Sequence, residues 1–206
     1  ILLSVKAMMR SECVVQEQVK TVRRISTSAE RMERMISDLL DFTRGRLGGG
    51  IPITRRPANL RALCRQVVEE LEMGSPQRQF RLSAAGELQG EWDPDRLTQL
   101  LGNLGKNAAD YSPDGLPVDF VLRDEGDTVW VEVHNGGPPI PEDLLPRIFE
   151  PFRRATGEGH PTSGLGLGLF IVQQIARAHA GRIEVRSTQA EGTTFTVRLP
   201  RFVTST

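Results

Sequence analysis

Apolar residues change their period along this chain. Over residues 1–46 they recur every three or four positions. Ile1, Leu2, Leu3, Val5, Ala7, Met8 and Met9 form a first run. After Arg10-Ser11-Glu12 a second run takes in Val15, Val19, Val22, Ser26, Ala29, Met32, Ile36, Leu39 and Phe42. Gln, Lys, Arg, Glu, Asp and Ser fill the gaps. The spacing predicts two helices, the second over about residues 14–46, with a coiled-coil-like stripe and a charged outer face. A two-helix hairpin cannot bury such a stripe alone. A second copy would cover it in a four-helix bundle; packing on the chain's own C-terminal part is the other arrangement. The length of the stripe favours a parallel homodimer through residues 1–46. Met32 and Met35 read as core filler.

Leu47-Gly48-Gly49-Gly50 ends the helix in a flexible joint, the one clear domain boundary. Beyond it the pattern alternates between helix and strand. Ile51-Pro52-Ile53-Thr54 reads as a short edge strand closed by Pro57. Asn59 reads as the cap of a helix over 60–73, with Leu60, Leu63, Val67, Val68 and Leu71 inward. Residues 79–83 and 87–92 read as a hairpin. Asp93-Pro94 is a cap with proline at the first helical position, opening a helix over 94–109 that buries Leu97, Leu100, Leu101, Leu104 and Ala108. Strands follow over 118–123 and 128–134, and a last pair over 183–187 and 193–199. The class is α+β: a helical hairpin, then a domain over 51–206 with one layer of helices on a mixed sheet.

Composition narrows the function classes. Lys+Arg and Asp+Glu both number 26, so no charge excess points to nucleic acid or an anionic membrane. Cys13 and Cys64 lie too far apart for a zinc site and too few for a disulfide framework, which fits a reducing, cytoplasmic setting. No apolar run approaches the ~20 residues of a bilayer span, so no membrane contact is expected of this segment.

Four blocks carry chemistry. Ser163-Gly164-Leu165-Gly166-Leu167-Gly168-Leu169 leads into an apolar helical pattern. Glycines let a backbone approach a bulky anion, and the next helix directs its free N–H groups and positive dipole end back at them. A plain Gly-rich turn before an amphipathic helix is the alternative. Asn103 and Asn107 share a face at i, i+4 on the helix 94–109, where an amide oxygen suits Mg²⁺ beside phosphate; two solvated residues are the alternative. Asn135-Gly136-Gly137-Pro138-Pro139-Ile140-Pro141 forces an irregular turn at a strand end and presents Asn135 to a base edge. Phe149-Glu150-Pro151-Phe152 precedes residues 155–163, whose Gly, Thr and Pro content suits a lid over phosphates. Glu191-Gly192-Thr193-Thr194-Phe195 turns into the last strand.

The order of these blocks resembles the ATP-binding domain of the gyrase, chaperone and histidine-kinase (GHKL) superfamily. Within it, the chain is similar to the kinase core of a two-component sensor histidine kinase. Residues 99–112 match the N box, 135–141 the G1 box, 149–152 the F box and 164–169 the G2 box. Asp38-Leu39-Leu40-Asp41-Phe42-Thr43-Arg44 is similar to the end of the dimerisation and histidine-phosphotransfer hairpin. The resemblance implies a dimeric four-helix bundle followed by a two-layer α/β sandwich of the GHKL type. It implies ATP and Mg²⁺ as cofactors, with Asn107 on the metal, Asn103 supporting the phosphates and Asn135 reading the adenine amino group. Tyr111 would border the base, and Arg153 or Arg154 would reach the γ-phosphate. Gly137, Gly164, Leu165, Gly166, Leu167, Gly168 and Thr194 complete the implied nucleotide site. A response-regulator receiver domain is the implied partner.

Three departures bear on activity. Asn135 stands where the family usually has Asp, and the Asn-x-Gly-x-Pro-Ile-Pro form resembles kinases of the bacteriophytochrome kind. An Asn oxygen still accepts from an amine but loses charge assistance, about 1 kcal/mol. Asp110 stands where a basic residue is common. The only histidines are His134, His160 and His179, none in the hairpin. The phosphoacceptor is therefore expected upstream of residue 1, and the fragment is expected to bind ATP without phosphorylating itself. The alternative is a non-catalytic, nucleotide-sensing dimeric scaffold.

Overall fold

The computed structural model describes residues 16–46, 49–153 and 165–202. The first predicted helix, Arg154, His160, Gly164 and the 155–163 segment lie outside them. The second predicted helix is α1 (Gln16–Arg46). Then come β1 (Arg56–Asn59), α2 (Leu60–Gly74), β2 (Phe80–Ala85), β3 (Gln89–Trp92) and α3 (Pro94–Tyr111). After these follow β4 (Val118–Glu125), β5 (Thr128–Asn135), a 3-10 turn (Leu145–Arg147), α4 (Gly168–Ala178), β6 (Arg182–Thr188) and β7 (Gly192–Pro200). Among the described residues no helix is long and apolar enough to cross a membrane.

The main sheet has the order β2-β4-β5-β7-β6, with β2 parallel to β4 and every other pair antiparallel. Strand alternation sorts its faces. On β5, Val129, Val131, Val133 and Asn135 are buried, while Thr128, Trp130, Glu132 and His134 lie on the open side. The buried face joins Leu60, Leu97, Leu100, Leu101, Leu104, Ile171 and Ile175 of the helices in one core with Phe120, Phe195 and Trp92. Burial of this apolar area is what holds the two layers together. The caps fall where the sequence puts them. Asn59 accepts from the N–H groups of Arg61 and Ala62, and Asp93 from those of Asp95 and Arg96.

Two expectations fail. The edge strand forms at Arg56–Asn59, with Pro57 inside it, and not at 51–54. Pro57 is tolerated because β1 has a single neighbour, β3. The predicted hairpin also does not form. β2 pairs in parallel with β4, and β3 pairs with β1, so the two segments belong to different sheets. Their short link is held by other contacts: the Leu88 carbonyl accepts from Leu60 N–H, and buried Arg201 donates to the carbonyls of Glu87 and Gln89 and to Asp124.

α1 divides its surface. Ile25, Met32, Ile36, Leu39 and Leu40 are exposed. Its last turns instead dock on the α/β layer. Buried Asp41 takes Arg96 at 2.8 Å and Gln99 Nε2 at 2.9 Å, both from α3. Phe42 stands edge-on to Phe152 at 5.0 Å and to Phe170 at 5.7 Å. Burial, and then the neighbouring Asp41 carboxylate, push the Asp38 carboxyl up, while Lys106 and Arg34 pull it down.

His179 locks α3 to α4. It is fully buried; Nε2 accepts from Asp93 N–H at 3.0 Å, and Nδ1 donates to the Ile175 carbonyl at 2.8 Å. The ring is therefore neutral. Burial holds it below its ordinary value of 6.5, and the Arg55 charge adds to this; the Ile175 carbonyl and Asp93 oppose it. Above pH 6.5 neither the folded nor the unfolded ring carries the proton, and the stabilisation is complete. Below it the unfolded chain takes up a proton that the folded chain refuses. Stability then falls by up to about 1.4 kcal/mol per pH unit until the folded ring titrates. Denaturant melts at pH 7.5 and 5.5 should show this loss, and His179→Gln should flatten it. An unchanged pH slope in the variant would refute the assignment.

Candidate nucleotide site

The helix-facing side of the sheet is apolar until one end. Across β4, β5, β7 and β6 the register aligns Phe120, Val133, Phe195 and Val185 in one row, and Leu122, Val131, Val197 and Ile183 in the next. The terminal row is Val118, Asn135, Thr193 and Ser187. Asn135 and Thr193 are only 4% and 5% exposed. Asn135 Nδ2 donates to the Gly136 carbonyl at 2.8 Å, which leaves Oδ1 as the outward acceptor. Ser187 Oγ accepts from Ile140 N–H at 2.9 Å and shares a proton with Thr193 Oγ1 at 2.7 Å. Gly192, with φ 71°, lies so close that a Cβ there would stand 2.3 Å from the Asn135 carbonyl oxygen.

Helix α3 forms the wall beside this row. Asn103, Asn107 and Tyr111 succeed one another at one-turn intervals. The Tyr111 carbonyl oxygen lies 2.9 Å from where a Cβ on Gly137 would be, so the Asn135–Gly137 turn rests on the end of α3. Further up, the carboxamide of Asn103 lies 3.8–3.9 Å from where a Cβ on Gly168 would be. Among the described residues its buried Nδ2 has no partner. α4 begins at Gly168, and among the described residues no side chain caps its first turn. Leu167 is buried and leaves its backbone to the site; Leu165 is exposed. Phe149 packs edge-on against Phe195 at 6.4 Å, and Phe152 N–H donates to the Gly166 carbonyl at 2.9 Å.

The structure thus gathers Asn103, Tyr111, Asn135, Gly137 and Gly168 around α3, with Asn107 between them. It separates two predicted residues. Thr194 lies on the open face of the sheet, where its hydroxyl meets His134 Nδ1 at 3.0 Å; Thr193 faces the site in its place. Strand alternation already contained that answer, since Phe195, Val197 and Leu199 inward put Thr193 inward and Thr194 outward. Ser187 carries no signal in the sequence, because its place beside Thr193 depends on register with β7. Arg153 is taken up by Glu150 at 2.9 Å, a carboxylate it shares with Arg147. Asp110 has its carboxyl pushed up by desolvation, with Lys106 and Arg78 pulling it down.

A polyphosphate fits these residues: an unpartnered buried amide beside an open helix start is an anion seat awaiting its acceptor. A hard cation fits Asn107. Its amide oxygen would hold a magnesium ion together with phosphate and water oxygens.

Residues 92–202 match the family of histidine kinase-, DNA gyrase B-, and HSP90-like ATPases. The chain belongs to this family. Its relatives are sensor histidine kinases. A bacteriophytochrome of Pseudomonas aeruginosa is 36% identical over 177 residues, 85% of this chain and 24% of the relative. Sensor protein VanS of Enterococcus faecium is 34% identical over 90% of this chain and 48% of its own. The chain thus spans a quarter to a half of the length of these relatives. Full-length ShkA, solved in complex with AMPPNP, superposes on 100% of this chain and 43% of its own, with TM-score 0.72 and 25% identity. The ATPase domain of this family binds ATP, and this chain carries that domain.

Proposed function

We propose that residues 51–206 form the ATP-binding catalytic domain of a kinase that passes the γ-phosphoryl group of ATP to a histidine, and that residues 1–46 belong to its dimerisation hairpin. From that histidine the phosphoryl group goes on to a response-regulator receiver domain. The observation that carries this reading is the buried Asn103 amide at the start of α4, one helical turn from Asn107, where among the described residues neither the amide nor the helix start has a side-chain partner. Asn103 and the first N–H groups of α4 hold phosphate oxygens, Asn107 holds the magnesium ion, and Asn135 and Thr193 read the base. Magnesium supplies charge neutralisation at the phosphates; the protein's part is positioning. His134 and His179 are both engaged by internal hydrogen bonds, which suits structural roles and not that of the phosphoacceptor. The exposed Ile25, Met32, Ile36, Leu39 and Leu40 support the homodimer, as an apolar stripe open to a second copy.

Titration of the chain with Mg-ATP tests the reading. Saturable, magnesium-dependent binding is expected. Thr193→Val should weaken it by about fivefold, one hydrogen bond's worth, and Thr194→Val should leave it unchanged. No saturable binding would leave the non-catalytic scaffold as the better account. Equal losses in both variants would remove the assignment of the base edge.

A further inference from the structure

We infer that Ser187 makes this site select adenine over guanine, by fixing the direction in which the Thr193 hydroxyl donates. The inference rests on the reading above, that the polar row at the sheet end is where the base edge lies.

Ser187 stands one strand beyond Thr193, at the same register level and on the same face. Its Oγ already accepts the Ile140 N–H at 2.9 Å. Among the described residues, the acceptor that faces its own proton is Thr193 Oγ1 at 2.7 Å. If Thr193 were the donor of that pair, Ser187 would accept twice and its proton would have no partner, which costs a half-buried hydroxyl a hydrogen bond. With Ser187 donating, the proton left over is that of Thr193; it points away from Ser187, into the site, and a ring-nitrogen acceptor bound there satisfies every group in the relay. Asn135 is fixed in the complementary sense. One Nδ2 proton is held by the Gly136 carbonyl, which fixes the sense of the amide and sets Oδ1 as its acceptor on the other side.

The row therefore presents one acceptor and one donor side by side. Adenine offers the matching edge: an amino donor at position 6 and a ring-nitrogen acceptor at position 1. Guanine inverts both, with a carbonyl at position 6 and an N–H at position 1. Binding guanine would require the Asn135 amide to turn over and the Thr193 proton to reverse, leaving Gly136 O and Ser187 unpaired. An asparagine, unlike an aspartate, can turn over in this way. Selectivity here accordingly depends on the neighbours that hold the two groups, and Ser187 is a positioning residue for one of them.

The test compares dissociation constants for Mg-ATP and Mg-GTP in the full chain and in Ser187→Ala, Ser187→Thr, Thr193→Val and the Ser187→Ala/Thr193→Val double variant. Wild type should prefer Mg-ATP. Ser187→Ala frees the Thr193 proton and should shrink the ATP-to-GTP preference by about fivefold or more. Ser187→Thr, which keeps the hydroxyl, should restore it. In the Thr193→Val background, Ser187→Ala should not change the preference further, because the relay is already cut. A Ser187→Ala variant that weakens both nucleotides by one factor would overturn the inference, as a displaced 136–141 turn does not discriminate between bases. So would an undiminished effect in the Thr193→Val background. Wild type that binds Mg-ATP and Mg-GTP equally would overturn it too, while leaving the nucleotide site standing. Wild type that binds neither would sink the site itself.

Discussion

Gly192→Ala should be among the most damaging single substitutions in the molecule, lowering stability by about 2–4 kcal/mol and disabling nucleotide binding even in the molecules that remain folded. Two costs add at this position. Its φ of 71° is a left-handed conformation that alanine adopts only under strain. A methyl group there would also stand 2.3 Å from the Asn135 carbonyl oxygen and 3.0 Å from the Gly136 Cα. Those atoms are backbone and cannot swing aside as a side chain would. Relief can come only by moving the end of β5, which carries Asn135. Gly115→Ala separates the two costs. Gly115 has φ 81° and, among the described residues, nothing within 4 Å of the added atom, so it should show the strain alone, about 1 kcal/mol. Denaturant melts of both variants, with Mg-ATP titration of each, are the measurements. Equal destabilisation at the two sites would show that the collision at Asn135 is relieved without consequence.

Asn107→Asp is expected to leave the fold intact and to weaken Mg-ATP binding by at least about tenfold, through a like charge set beside the phosphates. The two side chains have the same shape, so stability should change by less than about 0.5 kcal/mol. The effect therefore belongs to charge and to the lost amide N–H. Asn107 lies one turn beyond Asn103, whose buried amide is the phosphate seat proposed above. Calorimetric titration of both proteins checks this. Unchanged affinity would take Asn107 out of the site.

Much of this was legible in the sequence because it depends on short-range chemistry. Asn59 and Asp93 cap their helices where a cap residue precedes an apolar period. The strands of the last pair begin and end close to where the alternation puts them. The glycine run does open a helix. What the sequence did not give up depends on partners distant along the chain. Residues 79–83 and 87–92 look like a hairpin, because two short apolar runs flank a glycine. Yet Phe80–Ala85 finds a better edge on β4, and Gln89–Trp92 on β1. Thr193 and Thr194 are adjacent and chemically identical, and only the parity set by Phe195, Val197 and Leu199 tells them apart. Ser187 gains its role solely from register with Thr193. By period alone the stripe on α1 is one surface, but Asp41 and Phe42 turn its end toward α3 and α4, while Ile36, Leu39 and Leu40 stay outside.

The parallel pairing of β2 with β4 has a kinetic corollary. β4 and β5 are joined by a tight turn and can zip locally within microseconds. β2 reaches β4 only after β3 and the whole of α3 have been laid down between them, so its closure entropy must be met before any ladder bond forms. The edge strand is thus expected to arrive late, and amides of Phe80–Ala85 should gain protection from hydrogen exchange after those of β5 and β7 during refolding.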